Sequence, residues 1–216
     1  MSTYSIHQFA EKVALVTDIV HPVGRAAAMQ LALQGAFIIG GVPDDTSDSG
    51  DLADDLRELG TLASSVRYER SSVAGANALA EAGAATFGRL DLLINCVKSV
   101  DESAFLITDA VRDLMAGRPS ARIVDVFEID ENDADGEKLI GHLREDLLRR
   151  AEALPAKFRL NGVAVIGGYE AEPEHALFRG RAATEPDDVA RVVLFLLSSE
   201  AKAIRGELTV IRPPRR

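Results

Sequence analysis

Short apolar runs alternate with amphipathic segments along nearly the whole chain, and this alternation limits the fold more than any other feature. Strands are expected at Val13–Thr17, Ala36–Ile39, Ala63–Tyr68, Leu90–Asn95, Arg122–Phe127, Leu160–Ile166 and Glu207–Ile211. Helices are expected at Pro22–Gln34, Asp51–Leu59, Gly75–Phe87, Ala104–Met115, Asp135–Leu154 and Pro186–Ser198. Strands that are apolar on both faces and separated by helices call for a parallel sheet covered on both sides, with right-handed crossovers. Gly35 and Gly60 follow apolar helical runs and read as stops. The stretch Gly40–Gly50 reads as an acidic, turn-rich loop.

The 216 residues are 47% hydrophobic, enough for one α/β domain, and nothing in the chain reads as a linker. The expected domain is 1–216, with 1–10 and 212–216 as tails. A net charge of −10 argues against nucleic acid and anionic membrane as partners. One cysteine, Cys96, excludes an internal disulfide and a thiolate cluster, and it reads as a small buried residue. The opening residues lack an apolar targeting core, and no run approaches 18 apolar residues. A soluble cytoplasmic protein is expected. His7, His21, His142 and His175 show no metal-ligand spacing, and surface or loop roles are expected for them. "ENDADG", Glu131 to Gly136, imitates the start of a calcium loop, but position 12 falls on His142. It reads as an acidic loop with Asp135 as helix N-cap, and no metal site is expected.

Several blocks resemble the short-chain dehydrogenase/reductase family, in the right order. "KVALVT" with "GRAAAMQLALQGA" is similar to the first strand and helix. "FGRLDLLINC" is similar to the fourth strand, "AFLITDAVRDLM" to the helix after it, and "ARIVDVFE" to the fifth strand. "EPDDVARVVLFLLSSEAKAIRGELTV" is similar to the last helix and strand. The likeness spans about residues 11 to 211. It implies a single Rossmann-like, doubly wound parallel sheet of about seven strands, with ligands at the carboxyl ends of the strands. It also implies hydride transfer between NAD(P) and a carbonyl or alcohol, using a Tyr acid, a Lys that lowers its pKa, a substrate-orienting Ser and a supporting Asn.

The residues depart from that pattern at each role. Glu128 stands nearest the Ser position. Lys138 is the best Lys, but Ala134 stands four residues before it, and no Tyr occurs between Tyr68 and Tyr169. Eight residues separate Asn95 from Ala104, so a helix after the fourth strand is expected to be missing. The family's Thr-Gly-x-x-x-Gly-x-Gly turn reads Thr17-Asp18-x-x-x-Pro22-x-Gly24 here. Asp18 places a carboxylate where phosphates belong, and a facing pair of charges about 4 Å apart costs about 4 kcal/mol. Pro22 has no N–H to offer but suits the first helical position. Gly41 or Val42 stands where a ribose-selecting residue is usual, with Asp44 and Asp45 beyond. Glu69-Arg70-Ser71 replaces the adenine-side pair.

The expectation is therefore a family fold without its hydride chemistry. The role would be a non-catalytic subunit or scaffold, binding no cofactor, with Thr17, Gly24 and Asn95 as vestiges of the cofactor site. Its partner would be another copy or a related active subunit, met through the last helix and strand. The alternatives are an NAD- or NADP-dependent oxidoreductase rebuilt around Tyr169 or Lys138, and a binding module in the old crevice.

Overall fold

A computed structural model describes residues 8–46, 52–98, 100–101, 103–118, 121–132, 134–167, 169 and 185–212. Seven strands run β1 (Val13–Val16), β2 (Phe37–Pro43), β3 (Ala63–Tyr68), β4 (Leu92–Val97), β5 (Arg122–Ile129), β6 (Arg159–Ile166) and β7 (Leu208–Ile211). All pair in parallel, in the order β3-β2-β1-β4-β5-β6-β7. The described helices are α1 (Pro22–Leu33), α2 (Leu52–Glu58), α3 (Val73–Phe87), α4 (Leu106–Met115), α5 (Gly136–Ala153) and α6 (Pro186–Leu197). This is the doubly wound α/β sheet that the alternation predicts.

Two apolar layers hold the helices to the sheet. On one face Val23, Ala27 and Leu31 of α1, Leu52 and Leu56 of α2, and Val189, Val193 and Leu197 of α6 pack on Val16, Ile94 and Val126. On the other, Leu79 of α3, Val111 of α4, and Leu143 and Leu147 of α5 pack on Leu15, Leu93 and Phe127. Every residue of β4 is buried, which is why it reads as an unbroken apolar run.

The helix ends are set by short-range chemistry. Pro22 opens α1 and Pro186 opens α6. The Ser72 hydroxyl accepts the Gly75 N–H at 3.0 Å to start α3, and Gly88 stops it in the left-handed region (φ 68°). At the C-terminal end of α6, Arg122 donates to Leu197 O at 2.5 Å and Arg159 to Ser198 O at 2.6 Å, placing two cations against the helix's negative pole. Asp135 takes the N-cap position of α5, but its side chain makes no capping bond there.

The largest boundary shift from expectation is in β2. β2 continues to Pro43, because Gly40 to Pro43 pair in register with Ser65 to Tyr68 of β3. The glycines admit neighbours there: a Cβ on Gly41 would lie 2.3 Å from the Thr17 carbonyl oxygen. The apolar face of α5 is Ile140, Leu143, Leu147 and Ala151, while Leu139 and Leu154 are only partly buried at its edge. Between β4 and β5, α4 is the one helix among the described residues, and it completes the crossover by itself. Of the expected tails 1–10 and 212–216, residues 1–7 and 213–216 lie outside the described residues, as do His7 and His175, while Phe9 is buried in the core and its N–H donates to Gln34 O at 3.2 Å.

Candidate functional site

The sheet order reverses between β1 and β4, and the crevice at their carboxyl ends is where ligands bind in doubly wound folds. The β1–α1 loop forms its floor. Gly24 is required there: a Cβ would sit 1.9 Å from the Asp18 carbonyl oxygen. Thr17 is buried, donates to Asn95 Oδ1 at 3.3 Å and accepts the Cys96 N–H at 2.9 Å. Asn95 in turn donates to Ala104 O at 3.0 Å and to Asp125 Oδ1 at 2.9 Å, and Thr108 donates to the same oxygen at 2.6 Å. Thr17 and Asn95 therefore meet and stitch β1, β4, α4 and β5 together, while Gly24 packs against the Asp18 carbonyl and the Cys96 sulfur. Burial lifts the fully enclosed Asp125 carboxyl to about 6, against the opposing hydrogen bonds from Thr108 and Asn95.

Asp18 behaves differently from the free charge the sequence suggests. Its Oδ1 accepts the N–H groups of Val20 (3.2 Å) and His21 (3.0 Å), and its Oδ2 accepts Arg70 Nη1 at 2.7 Å. The side chain is 5% exposed. Repulsion of an incoming phosphate is thus offset by Arg70, which also reaches Asp45 at 3.4 Å. The obstacle is occupancy: the carboxylate already holds loop N–H groups that a phosphate would use.

The second cluster brings together residues far apart in sequence. His21, at the N-cap of α1, places Nε2 3.1 Å from Glu128 Oε1 at the end of β5. Tyr169 stands edge-on to the imidazole, with ring centroids 5.4 Å apart. Burial alone pushes the imidazole down, but Cys96 and the Glu128 carboxylate outweigh it and lift the ring to about 10. His21 is therefore nearly buried and joined to Glu128, not the surface or loop residue expected. The Tyr169 hydroxyl is buried without a partner among the described residues, and burial, Glu128 and Cys96 hold the phenol above its ordinary range. That shift runs opposite to the one an acid working near neutral pH needs. Lys138 lies at the exposed start of α5 and pairs with Asp135 at 2.6 Å. No group of His, Cys, Asp and Glu among the described residues is arranged to hold a metal ion.

A cleft of ≈ 380 Å³ opens beyond the ends of β3 and β4, lined by Tyr68, Arg70, Asn95, Cys96, Lys98 and Ile107. Sequence reasoning weighed Asp18, Arg70, His21 and Glu128 singly and missed that Arg70 meets Asp18 and that His21 meets Glu128. The signal was available in one form: each is a polar or ionisable residue at or just beyond the carboxyl end of an expected strand.

No family model matches the chain. It is 32% identical over 97 residues to a 1,6-dihydroxycyclohexa-2,4-diene-1-carboxylate dehydrogenase of Acinetobacter baylyi, across 43% of this chain and 35% of that protein. It thus spans about a third of the length of that relative. An uncharacterized oxidoreductase of Methylorubrum extorquens is 27% identical over 91% of this chain and 94% of its own length. A short-chain dehydrogenase/reductase of a Cladobotryum species is 24% identical over 77% of this chain and 58% of its own. Among solved structures, a hydroxysteroid dehydrogenase from Escherichia coli superposes with a TM-score of 0.79 at 21% identity, covering 99% of this chain and 100% of that one. No described helix is long and apolar enough to cross a membrane.

Proposed function

We infer that this chain, which belongs to the short-chain dehydrogenase/reductase family, keeps the family's oxidoreductase-like fold without its hydride chemistry and serves as a structural or regulatory subunit. The observation that carries this reading is Asp18. Its carboxylate takes the Val20 and His21 N–H groups, and Pro22 has none to offer, so the turn does not fit a dinucleotide pyrophosphate. The family's reaction supplies hydride from NAD(P). Here Glu128 stands at the Ser position and is joined to His21, and Lys138 is joined to Asp135. Association fits α6 and β7: Phe195 is 44% exposed on a helix otherwise buried on several sides, and β7 ends the sheet with Val210 and Ile211 half-buried. The partner would be a second copy or a related active subunit.

The test is thermal unfolding with NADH and NADPH. Neither should raise the melting temperature. A saturable rise with either would overturn this reading and favour the oxidoreductase alternative. The open cleft of ≈ 380 Å³ favours a second reading, a binding module for a small ligand. A ligand of that kind would stabilise the chain where nicotinamide cofactors do not.

A further inference from the structure

α4 packs closely on α3 but stands off from α5, and Arg150 of α5 bridges the gap. Its Nη1 donates to both Asp109 carboxylate oxygens, at 2.8 and 2.9 Å, and its guanidinium lies 4.1 Å from the centroid of the Phe105 ring. The side chain is largely buried, and Nε has no partner among the described residues. Beside this bridge lies a cavity of ≈ 210 Å³. Arg112 of α4 and Arg149 of α5 line it together with Arg150, and Asp109 is the one carboxylate in its wall. That surplus of cations is local, because the whole chain carries 24 Lys and Arg against 34 Asp and Glu. Ala153, Leu154 and Leu160 supply an apolar wall. We propose that this cavity is a binding site for a small carboxylate with a compact apolar body, its charge met by Arg112 and Arg149 and its body seated on Leu154 and Leu160.

The three arginines have different parts. Arg150 is engaged by Asp109 and fixes the spacing of the two helices. Arg112 and Arg149 are the exchangeable pair. Arg112 gives its Nε to Asp113 at 3.2 Å, and Arg149 is joined to Asp146 one turn back on its own helix. Both arginines are exposed, and ion pairs of that kind are weak and screened by salt, so a ligand carboxylate can take the place of either partner. A guanidinium presents parallel N–H groups that match the two oxygens of a carboxylate. The last carbonyls of α5 would oppose an anion, but Arg205 donates to Ala151 O and, at 2.8 Å, to Leu154 O, which covers that negative pole. Size sets the rest of the ligand. Sites for drug-sized molecules run to ~300–1,000 Å³, so ≈ 210 Å³ admits a single ring or a short chain. The cavity lies on the α3–α5 face of the sheet and shares no lining residue with the cleft beyond β3 and β4.

Sodium benzoate is the probe, with sodium chloride holding ionic strength constant. Titration calorimetry on the full chain should show saturable binding with a Kd on the order of 1 mM, as suits so small a ligand. Acetate has the charge without the ring, and benzamide the ring without the charge; each should bind at least about tenfold more weakly. Arg112→Gln and Arg149→Gln should each weaken benzoate about fivefold, and the double variant should abolish measurable binding. Ala153→Leu keeps every charge but fills the apolar wall, and it should lose benzoate as well. All three positions are exposed, and circular dichroism establishes that each variant is folded. Benzoate binding unchanged in the double arginine variant would overturn the proposal, as would an absence of saturable binding to wild type. Inorganic phosphate or acetate binding as well as benzoate would also overturn it, by showing a site for any anion. So would loss of benzoate in Lys98→Gln, which would place the ligand in the other cleft. The assay uses no nicotinamide cofactor, so its failure is separable from failure of the proposed function.

Discussion

Asp18→Gly should lower the unfolding free energy by about 3 kcal/mol at neutral pH. The Asp18 side chain is 5% exposed and that of Arg70 19%, so the pair is poorly screened by water. Removing one member leaves a largely desolvated guanidinium, and such losses run to about 3–5 kcal/mol. Asp45, at 3.4 Å and half-exposed, retains part of the attraction, which places the expected loss at the low end. The substitution also frees the Val20 and His21 N–H groups beside an Arg70 held by Asp45 alone. That combination is an anion site. Inorganic pyrophosphate should therefore raise the melting temperature of Asp18→Gly and leave wild type unchanged. Asp18→Asn, which keeps the acceptor but not the charge, should lose stability without gaining the anion response. Urea titrations and thermal shifts read both effects. A loss under about 1 kcal/mol would mean that the pair behaves as a surface ion pair.

Asp125 carries the second large effect, and it is a pH dependence. Burial raises its carboxyl from 3.8 to about 6 in the folded chain. The folded state therefore holds this proton more tightly than the unfolded state. The resulting stability is fully present below about pH 4 and is lost as pH rises through 6, a change of ~3 kcal/mol for a shift of about two units. Asp125→Asn keeps an oxygen to accept from Thr108 and Asn95, and it has no proton to release. Its stability should be flatter between pH 4 and 7 than that of wild type. The measurement is urea unfolding at a series of pH values for both chains. Parallel curves would show that Asp125 titrates normally and that its enclosure is relieved by motion or water.

The element order and the two-sided sheet could be read from periodicity because parallel strands buried on both faces leave unbroken apolar runs. β2 was harder. Gly40, Gly41 and Pro43 read as loop punctuation, yet they are strand residues because β3 lies alongside and the Thr17 carbonyl needs the space. Asp18 was correctly singled out, but its effect could not be weighed without Arg70, which stands 52 residues away. The same holds for His21 and Glu128. Each looks ordinary in its own window, and their meeting follows only from the placement of β1 beside β4 and β4 beside β5. Local propensity fixes which residues end a strand; the lateral order of the strands decides which of those ends face one another.

That lateral order also bears on how the chain is made. β1 can pair early with β2, 24 residues on, but its other edge waits for β4. The bonds that close this edge, Asp91 Oδ2 accepting the Val13 N–H at 3.0 Å and Thr17 accepting the Cys96 N–H, each span 78 or 79 residues. Contacts of such separation form late, after the entropy of closing the intervening chain has been met. A nascent chain that has not yet released β4 from the ribosome exposes an unpaired, apolar strand edge, the kind of surface that chaperones shield. The crevice therefore waits for β4, the strand that completes the centre of the sheet.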